Sequence, residues 1–139
     1  MPGTDCLFCK IVQGDIPCTE LYSTDTVLAF LDIAPVNQGH ALVIPKAHHE
    51  NIFELPPELG NDLMQAMRLV GDAVVKAVGA DGLNIGMNNN KAAGQLVFHA
   101  HFHLIPRFTG DGLTLWPQEQ TKDFDALAAL GQRIRENIS

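Results

Sequence analysis

Apolar positions recur along this chain with two different periods, and each change of period marks an element. Leu59, Leu63, Met67, Val70, Val74 and Val78 follow one another at intervals of three and four, which places them on one face of an α-helix. Pro56-Pro57 stands at its entry, where a first turn tolerates proline, and Gly79 and Gly82 mark its exit. Gly60 and Gly71 fall inside the pattern and weaken it by about 1 kcal/mol each relative to Ala. Phe124, Leu127, Leu130, Ile134 and Ile138 repeat the helical rhythm. They predict an amphipathic C-terminal helix over about 121–138 that covers an apolar surface. Cys6 to Val12 reads as a short helical turn closed by Gly14.

The remaining runs are strand-like. Glu20–Ser23 and Val27–Ile33 flank the polar turn Thr24-Asp25-Thr26, and Ala41–Pro45 is short and wholly apolar, as a buried strand is. Leu83–Met87 and Leu96–Pro106 enclose the polar loop Asn88–Gly94, while Pro35–Gly39 is a loop. Strands mixed with one long helix and a terminal helix predict an α+β fold with an antiparallel sheet, as a single domain over 1–139.

The segment Leu96–Pro106 carries the chemistry. As a helix, with steps of about 100°, it turns one of His99, His101 and His103 away from the other two. As a strand it gathers all three on one face and leaves Leu96, Phe98, Ala100, Phe102 and Leu104 on the other. A row of imidazoles can supply a nucleophile, a general acid or base, or metal ligands. The residues alone leave two readings, a metal site and a nucleophilic histidine with supporting neighbours. The loop ahead of the strand, rich in Asn and Gly and ending in Gly94-Gln95, can offer N–H groups and amides to a phosphate without fixed positive charge. Together they point towards phosphoryl or nucleotidyl chemistry.

Composition narrows the partners. The chain has 139 residues with a formal net charge of −7. That balance argues against a nucleic-acid polymer, which needs a basic face. No stretch approaches the roughly 18 apolar residues of a membrane span. The start, Met1 to Cys6, lacks the basic and apolar regions of a signal peptide. Cys6-x-x-Cys9 with an unmatched Cys18 reads as metal or redox chemistry rather than a disulfide framework, and the expected location is cytoplasmic.

The motif His99-Ala100-His101-Phe102-His103-Leu104-Ile105 resembles the signature of the histidine triad (HIT) family. Cys6–Val12, Gly14–Pro17, Ala29–Ile33, Gly39–Lys46 and Gly94-Gln95 also resemble their counterparts in its Hint-like branch, close to bacterial zinc-carrying members. The resemblance runs from Cys6 to about Pro117. It implies a HIT-like fold of about five antiparallel strands per chain, extended across a homodimer. It implies hydrolysis of adenosine phosphoramidates or AMP esters, with His101 as nucleophile forming a nucleotidyl-histidine, and His103 touching the phosphate and protonating the leaving group. Asp32 then accepts from the ribose hydroxyls, and Phe8, Ile11, Phe30 and Ile33 hold the base. Asn88, Gly94 and Gln95 form the phosphate loop, and His40 packs behind the triad. Trp116, before Pro117, approaches the partner's site. Leu96 departs from the pattern, because relatives place Ser or Thr there. This bears on substrate preference and rate more than on reaction class.

The resemblance also implies a structural zinc held by Cys6, Cys9, His48 and His99, with Cys18 left to pack. A soft pair of thiolates with two imidazoles suits tetrahedral zinc. The competing functions are a nucleotide-binding scaffold with little turnover, and a metalloenzyme in which His99, His101 and His103 ligate one catalytic metal. By residue type alone, Phe8, Ile11, Phe30 and Ile33 read as ordinary core, Asp32 as the start of a turn and His40 as a loop histidine.

Overall fold

The computed structural model describes residues 5–139, so the expectation of no signal peptide, drawn on the first residues, lies partly outside the described ones. Among these residues five antiparallel strands form one sheet. These are β1 (Glu20–Ser23), β2 (Val27–Leu31), β3 (Ala41–Pro45), β4 (Gly82–Gly86) and β5 (Phe102–Arg107), in the spatial order β1-β2-β3-β5-β4. Among the described residues three α-helices accompany them: α1 (Leu7–Gln13), α2 (Gly60–Val78) and α3 (Phe124–Glu136).

The sheet separates two apolar layers. On one face α2 lays Leu63, Ala66, Val70 and Val74 against Val27, Ala29, Ala41, Val43 and Leu104. On the other, Phe8 of α1 joins Leu28, Phe30, Leu42 and Ile44. The alternation of β2 and β3 therefore serves both faces, and every residue of β3 is buried. Cys18 packs beside the second layer, where burial raises its thiol pKa. Two glycines explain themselves by position. A Cβ on Gly71 would lie 2.7 Å from Leu83 Cδ2, so the helical cost of glycine permits close approach of α2 to β4. Gly39 holds φ at +94° against Val74, Val78 and Pro106, and so presents His40 to the opposite face.

Three expectations are corrected. The strand from Val27 ends at Leu31, and Ile33 is fully exposed. Gly82 opens β4 rather than closing α2, which Gly79 caps in the left-handed conformation. The strand expected over Leu96–Pro106 is only Phe102–Arg107. Its ladder with β3 stops at Val43 opposite Phe102. Further along β3 lies Pro45, which has no N–H to continue the ladder. Leu96 and Phe98, expected on a core face, are therefore exposed, while Ala100 and Leu104 are buried as expected.

Candidate active site

The stretch before β5 is held by side chains instead of a ladder. The Gln95 amide is buried, with its Oε1 accepting from Asn90 N–H at 2.8 Å and its Nε2 donating to the carbonyls of Glu50 at 2.6 Å and Val97 at 3.0 Å. Asn51 Nδ2 donates to Asn90 Oδ1, and Ile52 N–H donates to Asn89 Oδ1. Ala100 N–H then donates to the His49 carbonyl at 2.7 Å. These bonds pin the Asn-rich loop to residues 49–52, and they set His99 and His101 without strand geometry.

The partners of each imidazole decide where its proton sits. A carbonyl only accepts, so His101 Nδ1, 2.8 Å from the His99 carbonyl, carries the proton and leaves Nε2 with a bare lone pair. Val36 N–H donates to His40 Nδ1 at 3.0 Å, which places the His40 proton on Nε2. That Nε2–H lies 2.9 Å from His103 Nδ1, which accepts it and keeps its own proton on Nε2. Burial, with His101 and His40 beside it, pushes the His103 pKa down to about 4, against the pull of Asp32. Burial also lowers the His40 pKa, again against Asp32, whose Oδ2 lies 3.6 Å from His40 Nε2. Neutral imidazoles at neutral pH are what these tautomers require.

His101 and His103 thus form a matched pair, a lone pair beside an N–H donor, with ring centroids 5.0 Å apart. Phe8 meets the His101 ring edge-to-face at 5.2 Å and the Phe30 ring at 5.6 Å, joining that imidazole to an apolar wall. The cavity in front has a volume of about 460 Å³ and is lined among others by Ile11, Asp32, Ile33, Asn88, Gly94 and Leu96. An apolar cleft with a few convergent polar groups suits a small molecule with a flat apolar end and an anionic end.

His99 turns the other way. Its Nε2–H donates to the Pro45 carbonyl at 2.8 Å, leaving Nδ1 3.4 Å from Cys6 Sγ and 3.5 Å from Cys9 Sγ. His48 Nδ1 lies 3.4 Å from Cys9 Sγ, and all four ligand atoms fall within 4.8 Å of one another. Zinc bonds of ~2.3 Å to sulfur and ~2.0–2.1 Å to nitrogen, at tetrahedral angles, separate the ligands by about 3.5 Å. The donors fit one such metal. Asp32, His40 and His103 also come within 4.8 Å. They do not fit a metal, because Val36 N–H obliges His40 to present a proton there instead of a lone pair.

The HIT domain profile matches residues 13–110, most of the chain. The chain belongs to the HIT family. It is 44% identical over 135 residues to adenosine 5'-monophosphoramidase hnt1 of Schizosaccharomyces pombe, an alignment covering 96% of this chain and 98% of that one. It is 43% identical over 118 residues to adenylylsulfatase HINT3 of Arabidopsis thaliana, covering 85% of this chain but spanning only 59% of that longer relative. The crystal structure of SMU.412c from Streptococcus mutans superposes with TM-score 0.93 at 45% identity, covering 100% of this chain and 90% of that one. A Zn-bound histidine triad family protein from Mycobacterium smegmatis superposes with TM-score 0.71 at 38% identity, covering 97% and 99%.

In this HIT domain the expected site residues divide. Phe8, Ile11, Phe30, Asp32, Ile33, His40, Asn88, Gly94, Leu96, His101 and His103 all line the one cavity, with Ile33 fully exposed. Cys6, Cys9, His48 and His99 converge behind it. Gln95 does not line the cavity: both ends of its amide are spent on bracing the loop, and its own N–H donates to the Asn90 carbonyl. Trp116 lies outside too, 80% exposed beside a neighbouring depression that shares Val36 with the cavity. The reading of His99, His101 and His103 as ligands of one metal fails, because His99 faces the cysteines while His101 and His103 face the cavity. Sequence reasoning missed Val36, whose contribution is a backbone N–H and carries no side-chain signal. It also missed Asn51, which anchors the loop from nearly forty residues away.

Proposed function

We propose that this HIT domain cleaves the bond between an AMP-type nucleoside monophosphate and its leaving group, a phosphoramidate or ester. His101 Nε2 attacks the α-phosphorus, the bond to the leaving group breaks, and the His103 Nε2–H supplies the proton that departs with it. Water then attacks the nucleotidyl-histidine, its proton passes to His103, and the phosphorus–nitrogen bond breaks to release the monophosphate. One difficult displacement becomes two easier ones. The observation that carries the proposal is the tautomer pair: a bare Nε2 on His101 beside an Nε2–H on His103, both fixed by neighbours. A scaffold that only holds nucleotide has no need of that arrangement. The monophosphoramidase relative supports the substrate class.

The apolar wall of Phe8, Ile11, Phe30 and Ile33 takes the base, a purine in this reading, and Asp32 takes the ribose hydroxyls. Asn88 and the Gly94 turn face the phosphate. Cys6, Cys9, His48 and His99 hold a structural zinc, which ties α1 to the segment carrying the nucleophile and supplies no reacting group. The Zn-bound relative supports that assignment. The protein acts as a cytoplasmic homodimer whose sheets meet at the outer strand β4, paired on one side only. No helix among the described residues is long and apolar enough to cross a membrane.

The test is intact mass of protein mixed with an adenosine phosphoramidate and trapped without acid. An AMP adduct on the wild type that is absent from His101→Ala supports the mechanism. Steady turnover by His101→Ala overturns it.

A further inference from the structure

The proposed reaction needs the His103 proton on Nε2, and the group that ultimately places it there is the Val36 N–H, 3.0 Å from His40 Nδ1. Val36 lies in the loop between β2 and β3, whose ends meet where Asp32 N–H donates to the His40 carbonyl at 2.9 Å. Ile33, Ala34, Pro35, Val36 and Gln38 are all exposed, so apolar burial does little to fix the course of that loop. One N–H···N bond is too weak to offset the entropy of ordering several exposed residues. Something else must aim Val36.

Asn37 is placed to do so. Its carbonyl accepts from His40 N–H at 3.1 Å, closing a four-residue turn with Gly39 in the left-handed position. Its Nδ2 donates to the Pro106 carbonyl at 2.9 Å and to Asp111 Oδ2 at 3.1 Å. A carbonyl and an ionised carboxylate only accept, so both amide hydrogens are spent and the amide has one orientation. Asp111 is itself fixed. Arg107 donates to it from Nε at 2.8 Å and from Nη2 at 2.9 Å, and the N–H groups of Phe108 and Leu113 complete its shell. The Arg107 bonds hold the Asp111 carboxyl well below the usual carboxylate range, so it remains an acceptor. Strand β5 carries both Arg107 and His103. The bonds therefore run in a closed circuit, from Arg107 through Asp111, Asn37, the Val36 N–H and His40 back to His103 on the same strand.

We propose that Asn37, held by the Arg107–Asp111 pair, is a positioning residue for the reaction: it aims the Val36 N–H at His40 and so keeps the His103 proton on Nε2. The inference rests on the hydrolase reading above. Asn37 stands outside the nucleotide cavity that Val36, His40 and His103 line, so it acts through them and not on substrate. The simpler role for asparagine here is to favour a turn. Aspartate favours a turn as readily, but it presents acceptors to the Pro106 carbonyl and the Asp111 carboxylate, so the two roles predict different results for Asn37→Asp.

The test is imidazole nitrogen NMR with steady-state kinetics on the full chain, for wild type, Asn37→Asp and Asn37→Ala; either variant suffices if the other is unstable. The wild type is expected to show His40 and His103 as neutral Nε2–H tautomers at neutral pH. Each variant is expected to mix the His40 tautomers and to lower kcat about fivefold with KM little changed. In a His40→Leu background the same substitutions are expected to lower kcat no further, because the relay they disturb is already gone. A wild-type His40 protonated on Nδ1, an Asn37→Asp with native tautomer and rate, or kcat losses that multiply with that of His40→Leu overturn the positioning role. A variant with mixed tautomers but full turnover overturns it too and leaves the hydrolase reading standing. Failure of that reading is seen separately, as a wild type that forms no AMP adduct, and removes the positioning role with it.

Discussion

His40 is the residue whose removal most directly tests the tautomer chain. It is buried, accepts from Val36 N–H at 3.0 Å and donates to His103 Nδ1 at 2.9 Å. His40→Leu keeps an apolar side chain of similar size and deletes both bonds. Each is worth on the order of 1 kcal/mol net, and His103 is only half-buried, so water can replace part of the loss. The expected drop in stability is about 1–2 kcal/mol, read as a shift in the urea midpoint. The effect on catalysis is separate. With no donor at Nδ1, His103 is no longer held as the Nε2–H form facing the cavity, and one bond of about 1.4 kcal/mol corresponds to about tenfold in rate. The expected kcat with a saturating adenosine phosphoramidate therefore falls about tenfold, with KM little changed. His40→Gln supplies the control, because its amide N–H can donate to His103 from nearly the position of the imidazole Nε2. It is expected to recover most of the rate. If His40→Leu turns over like the wild type, or if His40→Gln is as slow as His40→Leu, the relay from Val36 to His103 does not govern catalysis.

Three further outcomes are expected. Protein purified without chelator should carry about one zinc per chain, and stripping it should lower the melting temperature; metal content well under that, or an unchanged melt, removes the structural zinc. Gln95→Ala orphans Asn90 N–H and the carbonyls of Glu50 and Val97, so it should cost about 3 kcal/mol in urea unfolding; a stable variant with only a raised KM would return Gln95 to the phosphate site. Stability should fall as pH drops from 6.5 towards about 4: the unfolded chain then takes up protons at residues 40 and 103 that the folded chain refuses, and unfolding becomes easier. Urea midpoints at about pH 7.5 and pH 5 check the sign, and His103→Gln should narrow the gap.

The elements were legible wherever a period ran long enough to fix a face. Five of the six apolar positions spaced by three and four fall in α2, with Leu59 in the turn just before it, and a wholly apolar Ala41–Pro45 is β3 to the residue. The family, the cavity-lining residues and the four thiol and imidazole donors were likewise carried by local motifs. Each needs a particular side chain at a particular position, and that requirement is written in the residue type. The alternation of Leu96–Pro106 misled because alternation records which side chains are apolar, not whether the neighbouring strand can continue the ladder. Pro45 cannot. Only the tertiary structure could spend Gln95 on a brace and leave the stripe of α3 uncovered. The proton positions belong to it as well. Imidazole types are visible in the sequence, but the tautomers of His40, His101 and His103 depend on the carbonyl of His99 and the N–H of Val36. Every residue but proline carries those backbone groups, so nothing in the sequence distinguishes the ones that matter.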